Sequence, residues 1–478
     1  MDYRSLLLTV LPALLLLGCV PAVQKASPMH DSVITNDLEK SLDLFNSNDT
    51  RLVREWWKNF GDRQLDSLIE EALSSAPSLQ SLEARYAQAN TVIESVQSRN
   101  LPHISANASL IRERFSENHI FPAPLGGSTN NQYQPQLSLD YDFDFWNARS
   151  SRILAAQNTA LAQRAAIEAT KIALSSAICE TYLSWNYDEQ KLSVLNTIEQ
   201  TTKEEIKILE KQHKLGLIDG IAINDKKSSL AQVKQHREEL KRSIEGKKEA
   251  LCVLGGFLPS RAESLQAPRI REGFNLPLPK KIMLNLVAHR PDVAIAKYTV
   301  LSKSHTIEEV KAQFYPNISL SGLIGFTSFS WTKLIDHSSY TPSTGVALSL
   351  PLLDWGMRKA NLQNSLSDYN ASVHEYNRVV IRAANEVVML LKQSKHLALQ
   401  RQLHEEELEA KKANSAIAYK KRLLGLSNNL PYLGAQKVIE EAGIETLSLN
   451  ETNTLLQINL IKALGGGYTD SEDTNASR

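Results

Sequence analysis

Apolar and polar residues alternate along this chain in two rhythms, one with a period of two and one with the period of a helix. Four stretches carry the first rhythm. Ile104, Ala106, Ala108 and Leu110 face one way while Ser105, Asn107 and Ser109 face the other. Leu137, Leu139, Tyr141, Phe143 and Phe145 oppose Gln136, Ser138, Asp140, Asp142 and Asp144. Ile318, Leu320 and Ile324 oppose Asn317, Ser319 and Ser321, and Val346, Leu348 and Leu350 share a face of the last stretch. This pattern predicts four strands with one apolar face each. They suit a barrel with lipid outside and water inside, or a half-buried sheet in a soluble domain. Ser116 to Gln132 and Phe329 to Thr341 are polar and rich in turn formers, and in a barrel they are the external loops.

The helical rhythm occupies most of the remainder. Ala148 to Lys214 contains neither glycine nor proline, and the same holds for Met357 to Leu424. Each predicts a helix of roughly 100 Å at 1.5 Å per residue. Ile167, Leu174, Ile178, Tyr182 and Trp185 recur at helical spacing, so the first of these helices packs on neighbours. Return helices are expected from Ile221 to Leu254 and from Leu430 to Leu464. All are too polar to cross a bilayer, so a membrane-spanning part must be a β-barrel. Four strands cannot close one, because the smallest membrane barrels have about eight, and the chain must therefore oligomerise.

The order of elements is written twice. Ala76-Pro77 opens a helix that runs to Leu101-Pro102, and Arg290-Pro291 opens another that runs to Tyr315-Pro316. Asp144-Phe145-Trp146-x-x-Arg149 returns as Leu353-Asp354-Trp355-x-x-Arg358, and Leu215-Gly216-Leu217 returns as Leu424-Gly425-Leu426. Matched landmarks of this kind indicate a tandem duplication. In each half a short helix (Leu65 to Ser74; Lys281 to His289) precedes a longer one (Ser78 to Asn100; Asp292 to Phe314), which a proline ends. The expected organisation is a signal segment at 1–18, an N-terminal segment at 19–62, repeats at 63–270 and 271–467, and a polar tail at 468–478. The fold class is α+β, dominated by long helices.

The N-terminus and the composition narrow the function. Arg4 and the apolar run Leu6 to Leu17 read as a signal peptide. It ends in Leu16-Leu17-Gly18-Cys19, which is similar to a bacterial lipobox, so Cys19 is the candidate lipidated residue. Val20, rather than an aspartate, follows it and favours the outer membrane. Lys and Arg number 53, as do Asp and Glu, so the net charge is zero and no basic footprint points to nucleic acid. There is no Cys-x-x-Cys, His-Glu-x-x-His or phosphate loop, so no cofactor, metal or enzymatic activity is expected. Gly465-Gly466-Gly467 reads as a helix end. Cys179 and Cys252 lie either side of the Leu217 turn; two buried free thiols are favoured over a disulfide.

The residues also resemble a known family. Trp56-Trp57-Lys58-Asn59-Phe60-Gly61-Asp62 with Leu65-Asp66-Ser67-Leu68-Ile69 resembles the N-terminal signature of the TolC-like outer-membrane efflux proteins, in the lipoprotein branch that includes OprM and NodT. Arg290-Pro291-Asp292-Val293, Tyr315-Pro316-Asn317-Ile318-Ser319-Leu320-Ser321-Gly322 and Pro351-Leu352-Leu353-Asp354-Trp355-Gly356 are similar to its later motifs. The resemblance implies a homotrimer with one twelve-stranded barrel in the outer membrane, a hollow helical barrel through the periplasm, and an equatorial belt of short helices. Its implied partners are outer-membrane lipid, a periplasmic adaptor and an inner-membrane pump, usually of the resistance-nodulation-division class. A protein-secretion channel and a trimeric structural tether are the alternatives.

In that family the periplasmic tips close at the break between the long helices, where a leucine is followed four residues on by an aspartate. Leu430 falls at the leucine position, but Gly434 stands where the aspartate is expected. Asp225 or Asp219 could supply carboxylates instead, with Leu430 as the constriction. Gly216 and Gly425 are the expected turns at the helix tips. Asp140, Asp142 and Asp144 are expected to face the lumen, either as charge rings that favour cations or as ordinary polar lining.

Overall fold

The computed structural model describes residues 54–118, 120–270 and 289–469. Cys19, the signal segment and the short helix expected at Lys281 to His289, apart from its last residue, lie outside them. After a 3-10 turn at Trp56–Phe60 come α1 (Arg63–Ser75), α2 (Pro77–Ser98), β1 (His103–Arg114), β2 (Thr129–Asp142), α3 (Ala148–Lys214), α4 (Ile221–Gly255) and a single turn α5 (Arg261–Ser264). The second half follows with α6 (Pro291–Ala312), β3 (Asn317–Gly325), β4 (Ser343–Ser349), α7 (Met357–Leu423) and α8 (Leu430–Ala463). The two long helices, α3 and α7, are 67 residues each.

Two loop expectations change. Thr129 to Gln132 belongs to β2 and pairs with Arg114 to Ile111. These four residues are all polar and carry no alternation, so only the ladder with β1 reveals them as strand. The segment Phe329 to Thr341 contains two 3-10 turns, Trp331–Lys333 and His337–Ser339.

Contacts divide the chain into two compact units: Arg85–Gln163 with Ala296–Tyr376 in one, and the described parts of His30–Ala84, Arg164–Ile295 and Asn377–Arg478 in the other. The strand unit holds a four-stranded antiparallel sheet in the order β1-β2-β3-β4. Beside it, Ile307 of α6 packs on Leu362 and Leu366 of α7.

The helical unit is cored by α3. Tyr182 and Trp185 are fully buried with their rings edge-to-face at 5.6 Å. The Tyr182 hydroxyl donates to Asp62 at 2.8 Å and accepts from Gln64 at 2.9 Å, tying α3 to the start of α1. Burial and the neighbouring Asp62 carboxylate push that phenol well above its ordinary pKa, so it remains a donor. Leu195 and Ile198 of α3 pack on Val233 of α4, and Ala384, Val387 and Leu391 of α7 pack on Leu460 and Leu464 at the end of α8.

The α8 helix ends in three glycines, all with positive φ. Gly465 has φ 86°, and a Cβ there would lie 2.5 Å from the His289 carbonyl oxygen. Backbone cannot swing aside as a side chain can. Gly465→Ala is therefore expected to lose about 1–3 kcal/mol or more. Thermal unfolding of the purified protein checks this, and an unchanged midpoint would show that the turn tolerates a side chain.

Candidate channel surfaces: strand faces and helix tips

The sheet register brings the predicted apolar faces together. Ile104 pairs with Leu139, Ala106 with Leu137 and Leu110 with Tyr133. Leu137 pairs with Ile324, Tyr141 with Leu320, and Leu320 with Val346. A one-residue slip would scatter these side chains over both faces. The aligned face is open: Leu137 is 53% and Val346 71% exposed. The opposite face is polar, and Ser105 and Ser138 hydrogen-bond across it at 2.7 Å. An apolar face this extensive requires a cover, and a lipid bilayer is one.

At the end of β2 nearest α3, Tyr141, Phe143 and Phe145 continue the apolar side as a ring ladder, with centroids 5.1 and 5.5 Å apart. Trp146 stacks on Tyr315 at 4.7 Å and donates its indole N–H to the Pro316 carbonyl at 2.7 Å. Aromatic rings of this kind collect at membrane–water boundaries.

The three aspartates of this region separate in role. Asp140 is exposed. Asp142 closes on the Arg149 guanidinium at 2.7 Å. Asp144 lies beyond the end of β2 and accepts from the backbone N–H groups of Arg149 and Ser150 at 3.0–3.1 Å, capping α3. In the second half Asp354 accepts the Arg358 backbone N–H at 3.1 Å at the start of α7. A carboxylate among the free N–H groups of a helix start is stabilised by them and by the helix dipole. Both corners turn through a left-handed residue at the same repeat position, Asn147 (φ 57°) and Gly356 (φ 89°).

The helix tips repeat the same way. At the end of α3, Gly216 has φ 71°, with Leu217 N–H bonded to Gln212 O at 3.0 Å and Gly216 N–H to His213 O at 2.9 Å. At the end of α7, Gly425 has φ 69°, with Leu426 N–H on Lys421 O at 2.9 Å and Gly425 N–H on Arg422 O at 3.0 Å. These are Schellman closures, which need a left-handed residue at that position. Asp219 accepts from the Ile221 backbone N–H at 3.0 Å, and its repeat partner Asn428 does the same for Leu430. Asp219 is thus a turn-former. Leu430 is half-buried at the start of α8, and Asp225 is exposed on α4.

Gly434 has a reason the sequence did not show. A Cβ there would point at the Glu205 carboxylate, 3.8 Å away. Glu205 is almost wholly buried on α3 and is paired with Lys226 of α4 at 2.6 Å. The carboxylate beside position 434 therefore comes from α3. Glu205 is one rung of a ladder between the antiparallel α3 and α4, with Glu199 on Arg237 and Asp188 on Lys247 at 2.6 Å. Hydrogen bonding to Lys203 and the charge of Arg237 hold the Glu199 carboxyl below its usual range, against the effect of burial. Sequence reading missed these rungs, because helical spacing marks a buried stripe without naming the partner across it.

Among the described residues no group of His, Cys, Asp and Glu could hold a metal, and no helix is long and apolar enough to cross a membrane. Cys179 and Cys252 are both free and buried.

An antiparallel sheet with one membrane-compatible face, continued into paired helices, is the plan of a TolC-like channel. A family model for outer membrane efflux proteins matches residues 68–256 and 284–466. The chain belongs to the outer membrane efflux protein family, whose members are channels and not enzymes. It is 25% identical over 97% of both chains to the multidrug resistance outer membrane protein MdtP of Escherichia coli. To the putative multidrug resistance outer membrane protein MdtQ of Shigella flexneri it is 27% identical, over 95% of this chain and 96% of that one. The crystal structure of VceC from Vibrio cholerae superposes with a TM-score of 0.80 at 26% identity, over 87% of this chain and all of that one. The Campylobacter jejuni CmeC channel shares the fold, with a TM-score of 0.81 at 21% identity over 96% of both chains.

Proposed function

We propose that this outer-membrane efflux channel works as a homotrimer in a tripartite system, passively conducting small molecules delivered by a periplasmic adaptor and an inner-membrane pump. Three copies of the four-stranded sheet give twelve strands, enough to close a barrel in which the polar face lines water and the apolar face meets lipid. The carrying observation is that β1 and β4 are both edges: a sheet with an exposed apolar face and two open edges is stable in a membrane only when other copies pair with it. Cys19 supplies the lipid anchor, and the two matching halves derive from a tandem duplication. Energy comes from the pump.

The native mass of the detergent-extracted protein, including its lipid, tests the assembly. Three acylated chains recovered from outer-membrane fractions would support the reading. A soluble, unlipidated monomer would end it.

In this reading the helix tips close the periplasmic end. Leu430 forms the constriction, with Asp225 and Asp219 as the exposed carboxylates near it and Gly216 and Gly425 shaping the tips. Leu430→Ser is expected to raise single-channel conductance in planar bilayers, because it shortens a half-buried apolar side chain at the start of α8. Conductance equal to that of the unaltered channel would remove Leu430 from the gate. Asp140 remains a charged lining group, whereas Asp142 and Asp144 serve the strand-to-helix corner.

A further inference from the structure

The apolar face of the sheet changes character toward its loop end. Two cross-strand rows, Ala106–Leu137–Ile324 and Ala108–Pro135 with Phe326 bonded to Pro135, and the row between them, Asn107–Gln136–Gly325, line an open hollow of about 370 Å³. On the apolar side Ala106, Ala108 and Pro135 are the short residues of this lining, beside the longer Leu137, Ile324 and Phe326. The next row along β1 is Leu110 with Tyr133. Trp331, 69% exposed, sets its ring edge-to-face on Tyr133 at 5.5 Å. Beyond it the same face carries Arg112 beside Asn131 and then Arg114 beside Thr129.

The face therefore reads, in order, as apolar notch, aromatic pair and two guanidiniums. Ala108 and Arg112 are separated by roughly 13 Å at about 3.3 Å per residue. That exceeds the thickness of one interfacial layer, about 5–8 Å, so a notch in the acyl region leaves Arg112 within reach of the headgroups. Arg112 has no ion-pair partner among the described residues. Arg114 meets Glu117 at 3.5 Å, with both side chains about two-thirds exposed (67% and 69%), a contact of little strength. Glu113 alternates onto the other face and does not neutralise them. Pairing of β1 with another copy would use its edge and leave this face free.

We propose that the patch binds a phosphorylated glycolipid of the outer leaflet, with acyl chain in the notch and phosphate on Arg112 and Arg114. Guanidinium forks hold phosphate oxygens in a bidentate way, and interfacial Tyr and Trp position the boundary between chain and headgroup. The proposal rests on the barrel orientation given above, with the apolar face toward lipid.

Native mass spectrometry of the detergent-purified channel, titrated with diphosphorylated lipid A, its dephosphorylated form and inorganic phosphate, tests it. The Arg112→Gln/Arg114→Gln double variant should retain diphosphorylated lipid A roughly tenfold or more less well than the unaltered channel. That difference should disappear with the dephosphorylated lipid. Ala108→Phe, which fills the notch and leaves the charges, should weaken retention of both lipid forms. Equal retention by the double variant and the unaltered channel would overturn the headgroup assignment, and full competition by millimolar inorganic phosphate would overturn the lipid as the source of the bound phosphate. Unchanged retention by Ala108→Phe would overturn the acyl assignment. Planar-bilayer conductance of the same samples separates the two levels: an unaltered channel that conducts nothing would sink the channel reading itself, whereas equal conductance in all variants confines a failure to the lipid site.

Discussion

Arg290→Ala is expected to cost the folded protein about 2–4 kcal/mol, the range for stripping one partner from a largely buried charge cluster. Arg290, whose side chain is only 9% exposed, forks its Nε and Nη2 onto Asp292, both at 3.0 Å. Its Nη1 reaches Glu386 of α7 at 2.9 Å and the Ala463 carbonyl at the end of α8 at 2.7 Å. One guanidinium thus fixes the start of α6 to two other helices. Alanine would remove the donor shared by Asp292, Glu386 and the Ala463 carbonyl, leaving Asp292 with the Val293 N–H at 3.0 Å and Arg382 at 3.7 Å. Asp292 and Glu386 keep 29% and 36% of their side-chain exposure and can partly rehydrate, which holds the loss below that of a fully buried pair. Arg290→Lys should recover only part of it, since an ammonium cannot fork onto a carboxylate and also span the other two acceptors.

The same cluster carries a pH signature. Burial alone would raise the Asp292 carboxyl, but the hydrogen bonds and charge of Arg290 outweigh it and hold the group below its ordinary value. A carboxyl lowered in the folded state adds stability that is complete above its unfolded pKa of about 4 and is lost as pH falls through the folded value. The stability gap between the unaltered protein and Arg290→Ala should therefore narrow as pH drops below about 4. Thermal unfolding followed by circular dichroism across pH measures this. Equal midpoints for both proteins at neutral pH would show that the cluster does not lock the helices.

The second large effect is expected on the sheet. Leu137→Arg places a guanidinium between Ala106 and Ile324 in the apolar band. In lipid such a charge costs roughly 2–4 kcal/mol per chain near the bilayer midplane, repeated in every subunit. Recovery of assembled channel from outer-membrane fractions should fall sharply. Gln136→Arg, one residue away and on the polar face, should assemble normally and alter conductance instead. Equal yields of the two variants would mean that the apolar face does not meet lipid, and the sheet would have to be reassigned as the cover of a protein core.

Much of this protein is legible in one dimension because its elements are long and periodic. The absence of glycine and proline from Ala148 to Lys214 lets α3 run unbroken. Strict alternation sets which strand residues share a face, and the recurrence of Leu-Gly-Leu marks both helix tips. Such signals are local: they depend on backbone propensity and on period, which a single segment carries by itself. Where the alternation stops, so does the legibility, and the polar start of β2 is visible only through its ladder with β1.

What the tertiary structure decided is which residues meet across elements. Three aspartates in one alternating row take three situations, because β2 ends at Asp142 and the start of α3 draws Asp144 in as a cap. The glycine at 434 faces a buried Glu205 of a helix far earlier in the chain, held by a lysine of a third helix. Pairings of this kind depend on helix packing and axial register, which no helical period specifies. The sequence therefore determined the long helices, the alternating parts of the strands with their faces, and the family. Only packing determined which charges are bonded and which remain free to act.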